Sequence, residues 1–446
     1  MNLLAGSNTV KGTINDGMDV EFALKLGKTL GETYGSPVAV AMDGRNSNNM
    51  LLAALSAGIM SVGCDVLNLG AVPTPMIQFY MSMHSEIKGG VTITASFAGQ
   101  QINGFRVMKS EGVEDPIFES ITVEEMMANT NQVPGLAVGE MFKVPDFTEA
   151  YVDYILSNVD VEAIRAAELK ICLDCRNPAV GVITSQLLMR LSIDHIFITG
   201  DTSVLDEDRQ TKLGHVVKSQ ELDLGVALEM DADHVLFTTS EGEVVHGDRS
   251  FAVLAKDILS KTKGKVVIPV NASTLMESVI RDNGGELVLC SIGEQAVVQS
   301  VKENDAVLGG DIFGCIVLPG RFCTCDAILA MAKIIELIAK NGPLSEQIRS
   351  YPDYFILKGS MDVPNEDIPK VLECFRSLHL EKEMDLFDGI KVYNDQGWIL
   401  VRKSNVNNMI KVYAQAGSRE KATAWVQDTI DKLSEFAALN SSQTQQ

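Results

Sequence analysis

The chain has 446 residues, 46% hydrophobic and 22% charged, with 37 Lys and Arg against 59 Asp and Glu. That composition excludes a disordered chain, and at ~150 residues per domain the length calls for about three domains and more than one hydrophobic core. The net charge of -22 excludes a general nucleic-acid binder, which needs a basic face, and obliges any anionic ligand to find a locally basic pocket.

The start, Met1-Asn2-Leu3-Leu4-Ala5-Gly6, lacks the basic region and long apolar stretch of a signal peptide. The most apolar helical pattern, 327–339, is interrupted by Lys333 and Glu336 and cannot span a bilayer. The expectation is a cytoplasmic protein with neither membrane nor nucleic acid as partner. Eight Cys are too sparse for a disulfide scaffold. Cys172 and Cys175 lie three apart in an apolar run; on a strand they face opposite sides, so they read as structural.

Up to about residue 340, β-branched runs alternate with helical stripes, as in a parallel sheet with crossover helices. A buried strand at 38–42 precedes a helix with Leu51, Leu55 and Ile59 on one stripe and Gly63 as its stop. Strands at 65–69 and 90–94 continue the series. Strand 169–174, helix 180–191 and strand 195–199 repeat the order, as do strand 265–270, helix 275–281 and strand 286–290. Asp43-Gly-Arg45-Asn46, Asp174-Cys-Arg176-Asn177 and Asn271-Ala272-Ser273 occupy the same strand-to-helix junction in these blocks. A short polar residue there serves as a helix cap, but three occurrences indicate three related α/β domains. Beyond Pro343 and Tyr351-Pro352-Asp353 the pattern changes to a strand, a helix at 368–378, strands at 390–393, 398–401 and 411–414, and an amphipathic final helix. This is an α+β unit, with a tail from Asn440 expected to fray.

Ligands of open parallel sheets gather beyond the carboxyl ends of strands, and four such junctions stand out. Ser96, just past a buried strand and followed by Asn103-Gly104-Phe105-Arg106, is a candidate nucleophile or phosphate carrier. Glu229, Asp231 and Asp233 end a buried strand at alternate positions, and a hard cation such as Mg²⁺ relieves their repulsion; His234 is their neighbour. Gly309-Gly310-Asp311-Ile312-Phe313-Gly314 reads as a turn. Arg402-Lys403-Ser404-Asn405 combines two cations, a hydroxyl and a turn-forming amide, a set that suits phosphate and equally a basic hairpin loop.

The order of these four loops resembles the α-D-phosphohexomutases, the superfamily of phosphomannomutase, phosphoglucomutase and phosphoglucosamine mutase, over nearly the whole chain. Leu69-Gly70-Ala-Val-Pro73-Thr74-Pro75 is similar to that family's Leu-Gly-x-x-Pro-Thr-Pro connection. The resemblance implies three similar α/β/α domains with mixed, largely parallel sheets, at 1–142, 143–246 and 247–346, and a C-terminal α+β domain at 347–440. It implies a phosphoserine at Ser96, Mg²⁺ held by Ser96, Glu229, Asp231 and Asp233, and phosphate moving between the 1- and 6-positions of a hexose with hexose 1,6-bisphosphate as activator. Ser96, Arg106, Arg45 and Lys11 are then catalytic, while Asp311, Phe313, Arg402, Lys403, Ser404 and Asn405 bind a hexose phosphate.

Departures from the family pattern fall on these same loops. Thr-Ala-Ser-His-Asn-Pro becomes Thr94-Ala95-Ser96-Phe97-Ala98-Gly99, and Asn-Gly-x-Lys, whose Lys is implicated as general acid/base, ends in Arg106. Arginine does not readily give up a proton. Asp-Gly-Asp-Ala-Asp-Arg becomes Glu229-Met230-Asp231-Ala232-Asp233-His234, Gly-Glu-x-Ser-Gly-His becomes Gly310-Asp311-Ile312-Phe313-Gly314-Cys315, and Asp-Gly-x-Arg-Gly becomes Asn8-Thr9-Val10-Lys11-Gly12. Three readings therefore stay open: a divergent mutase; a homologue that binds metal or sugar phosphate without turnover and regulates or partners an active paralogue; and a phosphoenzyme that leaks to water. A homodimer is the other partner considered.

Overall fold

The computed structural model describes residues 3–5, 8–35, 37–96, 98–198, 207–404 and 409–443. The chain divides into two compact units, Met1–Leu254 with Phe313–Arg349, and Ala255–Ile312 with Ser350–Gln446.

In the first unit one mixed sheet runs in the order Leu3–Ala5, Thr9–Ile14, Ile102–Lys109, Gly89–Ile93, Val38–Met42, Val66–Ala71, Met141–Lys143. The last four strands are mutually parallel and the first three join antiparallel. Met141–Lys143 completes this sheet, so the domain break expected after residue 142 falls inside a strand. Val38, Val40, Val91 and Ile93 are buried with Phe22, Leu26, Leu51 and Leu55 of the covering helices, which explains the unbroken apolar runs of the two central strands. A second sheet, in the order Asp194–Ile198, Lys170–Cys175, Leu224–Leu228, Val235–Thr239, Val244–Val245, has two parallel pairings and then two antiparallel ones.

In the second unit Lys265–Pro269 is flanked by Glu286–Cys290 and Leu308–Gly310, both parallel to it. The first strand of each block thus lies between the next two, which is the architectural form of the sequence echo. Phe355–Asp362, Met409–Ala416, Gly397–Lys403, Ile390–Asn394 and Met384–Asp385 form the antiparallel sheet of the α+β unit, packed on the helix Ile368–Ser377 and the C-terminal helix.

The echoed junction does two jobs. Asn177 and Ser273 cap their helices, accepting from Ala179 N and Met276 N, whereas Ser47 makes no side-chain cap bond. Asp43 and Asp174 instead turn inward and bind arginines, as described below. Among the described residues no helix is long and apolar enough to cross a membrane.

Candidate active site

Gly89–Ile93 is buried along its length and delivers Thr94, Ala95 and Ser96 to its carboxyl end. Ser96 has φ 52°, a left-handed conformation that costs a non-glycine residue about 1–2 kcal/mol and must be held by its surroundings. Its N–H donates to Thr94 Oγ1 (3.0 Å), and Thr94 Oγ1 donates to Asp43 Oδ2 (2.9 Å). Arg45 Nη2 donates to the Ser96 carbonyl (2.6 Å), and Nη1 reaches the carbonyls of Ala98 (2.9 Å) and Gly99 (3.0 Å). Arg45 Nε is occupied by Asp43 Oδ2 at 3.0 Å. Lys11 Nζ donates to the Ala95 carbonyl at 3.2 Å. The left-handed turn presents the Ser96 hydroxyl to the acidic loop, where it donates to Glu229 Oε2 at 3.1 Å.

Leu224–Leu228, fully buried, carries that acidic loop. The loop backbone closes on itself through one bond and is fastened from three other elements. Glu229 N donates to His234 O (3.2 Å), Thr74 N to Asp231 O (3.0 Å), Asn177 Nδ2 to Met230 O (2.6 Å) and Ala327 N to Ala232 O (3.1 Å). Asp174 accepts from Arg176 and from Arg209, and Arg209 also donates to Leu228 O, one residue before the triad. Glu229, Asp231 and Asp233 are all buried by this scaffold. Oxygens of Glu229 and Asp233 and a ring nitrogen of His234 lie within 4.8 Å of one another. His234 Nδ1 is 2.9 Å from Asp233 Oδ1 and 3.5 Å from Glu229 Oε2.

Arg106 enters the same cluster from the strand Ile102–Lys109. Its Nη1 donates to Asp233 Oδ2 (2.8 Å) and lies 3.9 Å from Asp231, while Nε donates to Glu114 Oε1 at 2.7 Å and Nη2 to the same oxygen. Four carboxylates thus meet two cations, a formal excess of two negative charges. Burial and then the charge of Asp233 push the Asp231 carboxyl well above its usual range. Burial also works to raise Asp233, but His234 and Arg106 outweigh it and hold that carboxyl well below. For His234, burial favours the neutral ring, yet Asp233 and Glu229 prevail and hold its pKa well above the usual value. Both Asp231 carboxylate oxygens are buried with no hydrogen-bond donor. Buried, unsatisfied carboxylate oxygens are costly alone and suit a hard divalent cation, so this donor set fits one.

Both arginines of the site are held by buried carboxylates. Arg45 was expected among the catalytic residues; its side chain is fully buried and its nitrogens are spent on Asp43 and loop carbonyls, so it positions the Ser96 loop. Arg106 was expected there too; it is held between Glu114 and Asp233 and ties the strand Ile102–Lys109, the antiparallel neighbour of the strand that delivers Ser96, to the acidic loop. Glu114 is a site residue that the sequence reading missed. It lies in the two-residue strand Val113–Glu114, and only the antiparallel pairing of that strand with Met108–Lys109 brings it beneath Arg106.

Burial pushes the Cys172 and Cys175 thiols up to about 12, in keeping with structural roles, but Cys315 and Cys325 form a disulfide. Cys315 bridges antiparallel to His234, and Val235 N donates to Gly314 O (3.1 Å), so Gly314 and Cys315 are laced to the acidic loop. Phe313, at the start of that lacing, is 44% exposed.

Within the second unit, Arg402 donates from Nε (3.1 Å) and Nη2 (3.0 Å) to Asp388 Oδ1, and Asp388 Oδ2 accepts from Ile292 N (3.1 Å). Gly389, at φ 94°, makes room for this pairing: a Cβ there would lie 2.5 Å from that of Arg402. Lys403 is exposed, Ser404 is buried with its N–H on Met409 O, and Asp311 is buried. Asn405 lies outside the described residues, as does Phe97.

Four family models match the chain in order. They are the phosphoglucomutase/phosphomannomutase alpha/beta/alpha domain I over residues 2–133, domain II over 149–242, domain III over 246–354 and the C-terminal domain over 365–432. A phosphoglucomutase/phosphomannomutase of Thermococcus kodakarensis is 30% identical, covering 98% of this chain and 99% of that protein. A probable phosphoglucosamine mutase of Methanopyrus kandleri is 29% identical over 96% of both. Among solved structures, a phosphoglucomutase/phosphomannomutase family protein of Burkholderia thailandensis superposes with a TM-score of 0.83, 20% identity and 97% coverage of each chain.

Proposed function

The chain belongs to the phosphoglucomutase/phosphomannomutase family, and on that premise we propose that it moves phosphate between the 1- and 6-positions of a hexose phosphate through phosphorylated Ser96 and a hexose 1,6-bisphosphate. The observation that carries this reading is the Ser96 hydroxyl, held out by a left-handed residue and hydrogen-bonded to Glu229 of a buried carboxylate triad.

In this reading Ser96 carries the phosphoryl group and Arg45 keeps its loop in the presenting conformation. Glu229, Asp231, Asp233 and the Ser96 oxygen would hold Mg²⁺, with His234 as neighbour. When bound, such an ion offsets charge on the phosphoryl oxygens. Arg106 holds Asp233 in place from the serine side of the site. Arg402, Lys403 and Ser404 bind the substrate's phosphate, a role favoured by a chain whose net charge of -22 leaves few basic places for an anion. Asp388 orients the Arg402 fork, and bidentate guanidinium groups suit phosphate geometry. Asp311 and Phe313 contact the sugar: a carboxylate accepts from hydroxyls, and an exposed aromatic ring packs on a pyranose face.

Intact mass and peptide mapping test the phosphoenzyme. One phosphate on Ser96, chased off by hexose phosphate and restored by glucose 1,6-bisphosphate, is the expected result. Coupled assays on mannose, glucose and glucosamine phosphates then identify the substrate. A protein that neither takes phosphate at Ser96 nor converts any of the three would end the reading.

A further inference from the structure

Transfer between Ser96 and a sugar hydroxyl needs a proton delivered to Ser96 Oγ when it leaves phosphorus and removed when it attacks. The charged side chains around Ser96 are unequal to that task. Arg45 and Arg106 keep their protons at any working pH, and both are immobilised on buried carboxylates. Glu229, Asp231 and Asp233 are committed to the cation site, and His234 Nδ1 faces Asp233 and Glu229.

Lys11 differs from all of these. Thr9–Ile14 pairs antiparallel with Ile102–Lys109, placing Thr9 opposite Arg106 and Lys11 opposite Gly104. Lys11 and Arg106 therefore share one face, a single pair apart on neighbouring strands. Gly104 leaves that face bare. A Cβ there would lie 3.0 Å from Lys11 Cγ and 2.3 Å from Val10 O, so any larger residue would displace the lysine stem. Across this gap Lys11 Nζ reaches the Ala95 carbonyl, immediately before Ser96, and the residue is only half-buried. It is an amine on a flexible stem, held at the backbone of the residue that precedes the reacting serine.

We infer that Lys11 is the proton carrier for Ser96 Oγ, with Arg106 as a fixed charge on the same face; this rests on the mutase reading above. In transfer from phospho-Ser96 to the sugar, the Oγ–P bond breaks as the Lys11 ammonium gives Oγ a proton. The sugar O–P bond forms, and the sugar hydroxyl's proton leaves to water. In the return transfer from bisphosphate, Oγ attacks phosphorus and its proton passes to the Lys11 amine. The sugar O–P bond breaks, and water supplies the proton to the sugar oxygen. Lys11 ends the cycle as it began.

Lys11→Arg keeps the charge and the bond to Ala95 but cannot release a proton. It is expected to lower kcat by about 10²–10³-fold, the contribution of a positioned acid/base, with KM changed by less than about threefold. Phosphorylation of Ser96 by glucose 1,6-bisphosphate, read by intact mass, is expected to slow in parallel. Lys11→Ala is expected to recover activity with added methylamine, rising with its free-base fraction, while Lys11→Arg does not respond. A Lys11→Arg enzyme with wild-type kcat and pH profile, or a Lys11→Ala enzyme deaf to amines, overturns the assignment while the mutase reading stands. A wild type that converts no hexose phosphate removes both.

Discussion

Glu114→Gln isolates what the charge of a single buried carboxylate does for this site. Glu114 Oε1 accepts from both Nε and Nη2 of Arg106, and the two side chains are 4% and 7% exposed. Glutamine retains a carbonyl acceptor of the same reach, so packing is preserved and the charge alone is lost. Hydrogen bonds to charged groups contribute about 1.5–3 kcal/mol each, against about 1 kcal/mol for neutral ones. Two such bonds, both weakened, place the cost near 2 kcal/mol; Glu114→Ala, which removes that acceptor and leaves the buried guanidinium to Asp233, is expected to cost about 3 kcal/mol, the low end for breaking a buried pair. Both tryptophans, Trp398 and Trp425, lie in the other unit, so their fluorescence is a poor reporter. Hydrogen exchange of the strand Ile102–Lys109 reads the effect where it occurs. A loss of about 2 kcal/mol accelerates exchange about thirty-fold wherever opening is limited by this clamp. Exchange within twofold of wild type in both Glu114→Gln and Glu114→Ala would refute the idea that the Arg106–Glu114–Asp233 bridge holds the strand Ile102–Lys109 and the acidic loop together.

Two further outcomes are expected. Mg²⁺ at about one hundred times its dissociation constant stabilises by about 2.7 kcal/mol if it binds only the folded state. Asp231→Asn with Asp233→Asn is expected to abolish the corresponding rise in melting temperature; a preserved rise would place the ion elsewhere. Asp326, whose pKa burial raises to about 6, caps the helix Ala327–Asn341 and accepts from Tyr151 OH. Because the folded state favours its protonated form, its contribution is greatest below pH 3.8 and declines as pH rises through 6, by about 3 kcal/mol in all. Asp326→Asn keeps the cap acceptor and is expected to flatten stability between pH 4 and 6, measured by urea midpoints; an unchanged slope would show that another group titrates there.

Much of the architecture was legible because alternation of apolar strands and helical stripes is a local property. Val38–Met42, Lys265–Pro269 and Glu286–Cys290 read as strands from their own side chains, and the echo at Asp43, Asp174 and Asn271 indicated related α/β blocks without giving the order of their strands. Ser96 and the alternate carboxylates of 229–233 were also visible, since each sits just past a buried run. What those residues bond to was not. Arg45 was expected among the catalytic residues, and only the tertiary structure turned it inward onto the Ser96, Ala98 and Gly99 carbonyls. The Arg106–Asp233 bond spans 127 positions, and Glu114 joins it through a strand too short to carry a periodic signal. Cys315 and Cys325 meet because the turn between them folds back beside His234, and nothing in their spacing required it. Periodicity reports which face of an element is buried, a matter of 2.0 or 3.6 residues. The partner of a buried charge comes from whichever element packs against that face, so sequence alone selected the candidate residues while packing decided what each of them bonds to.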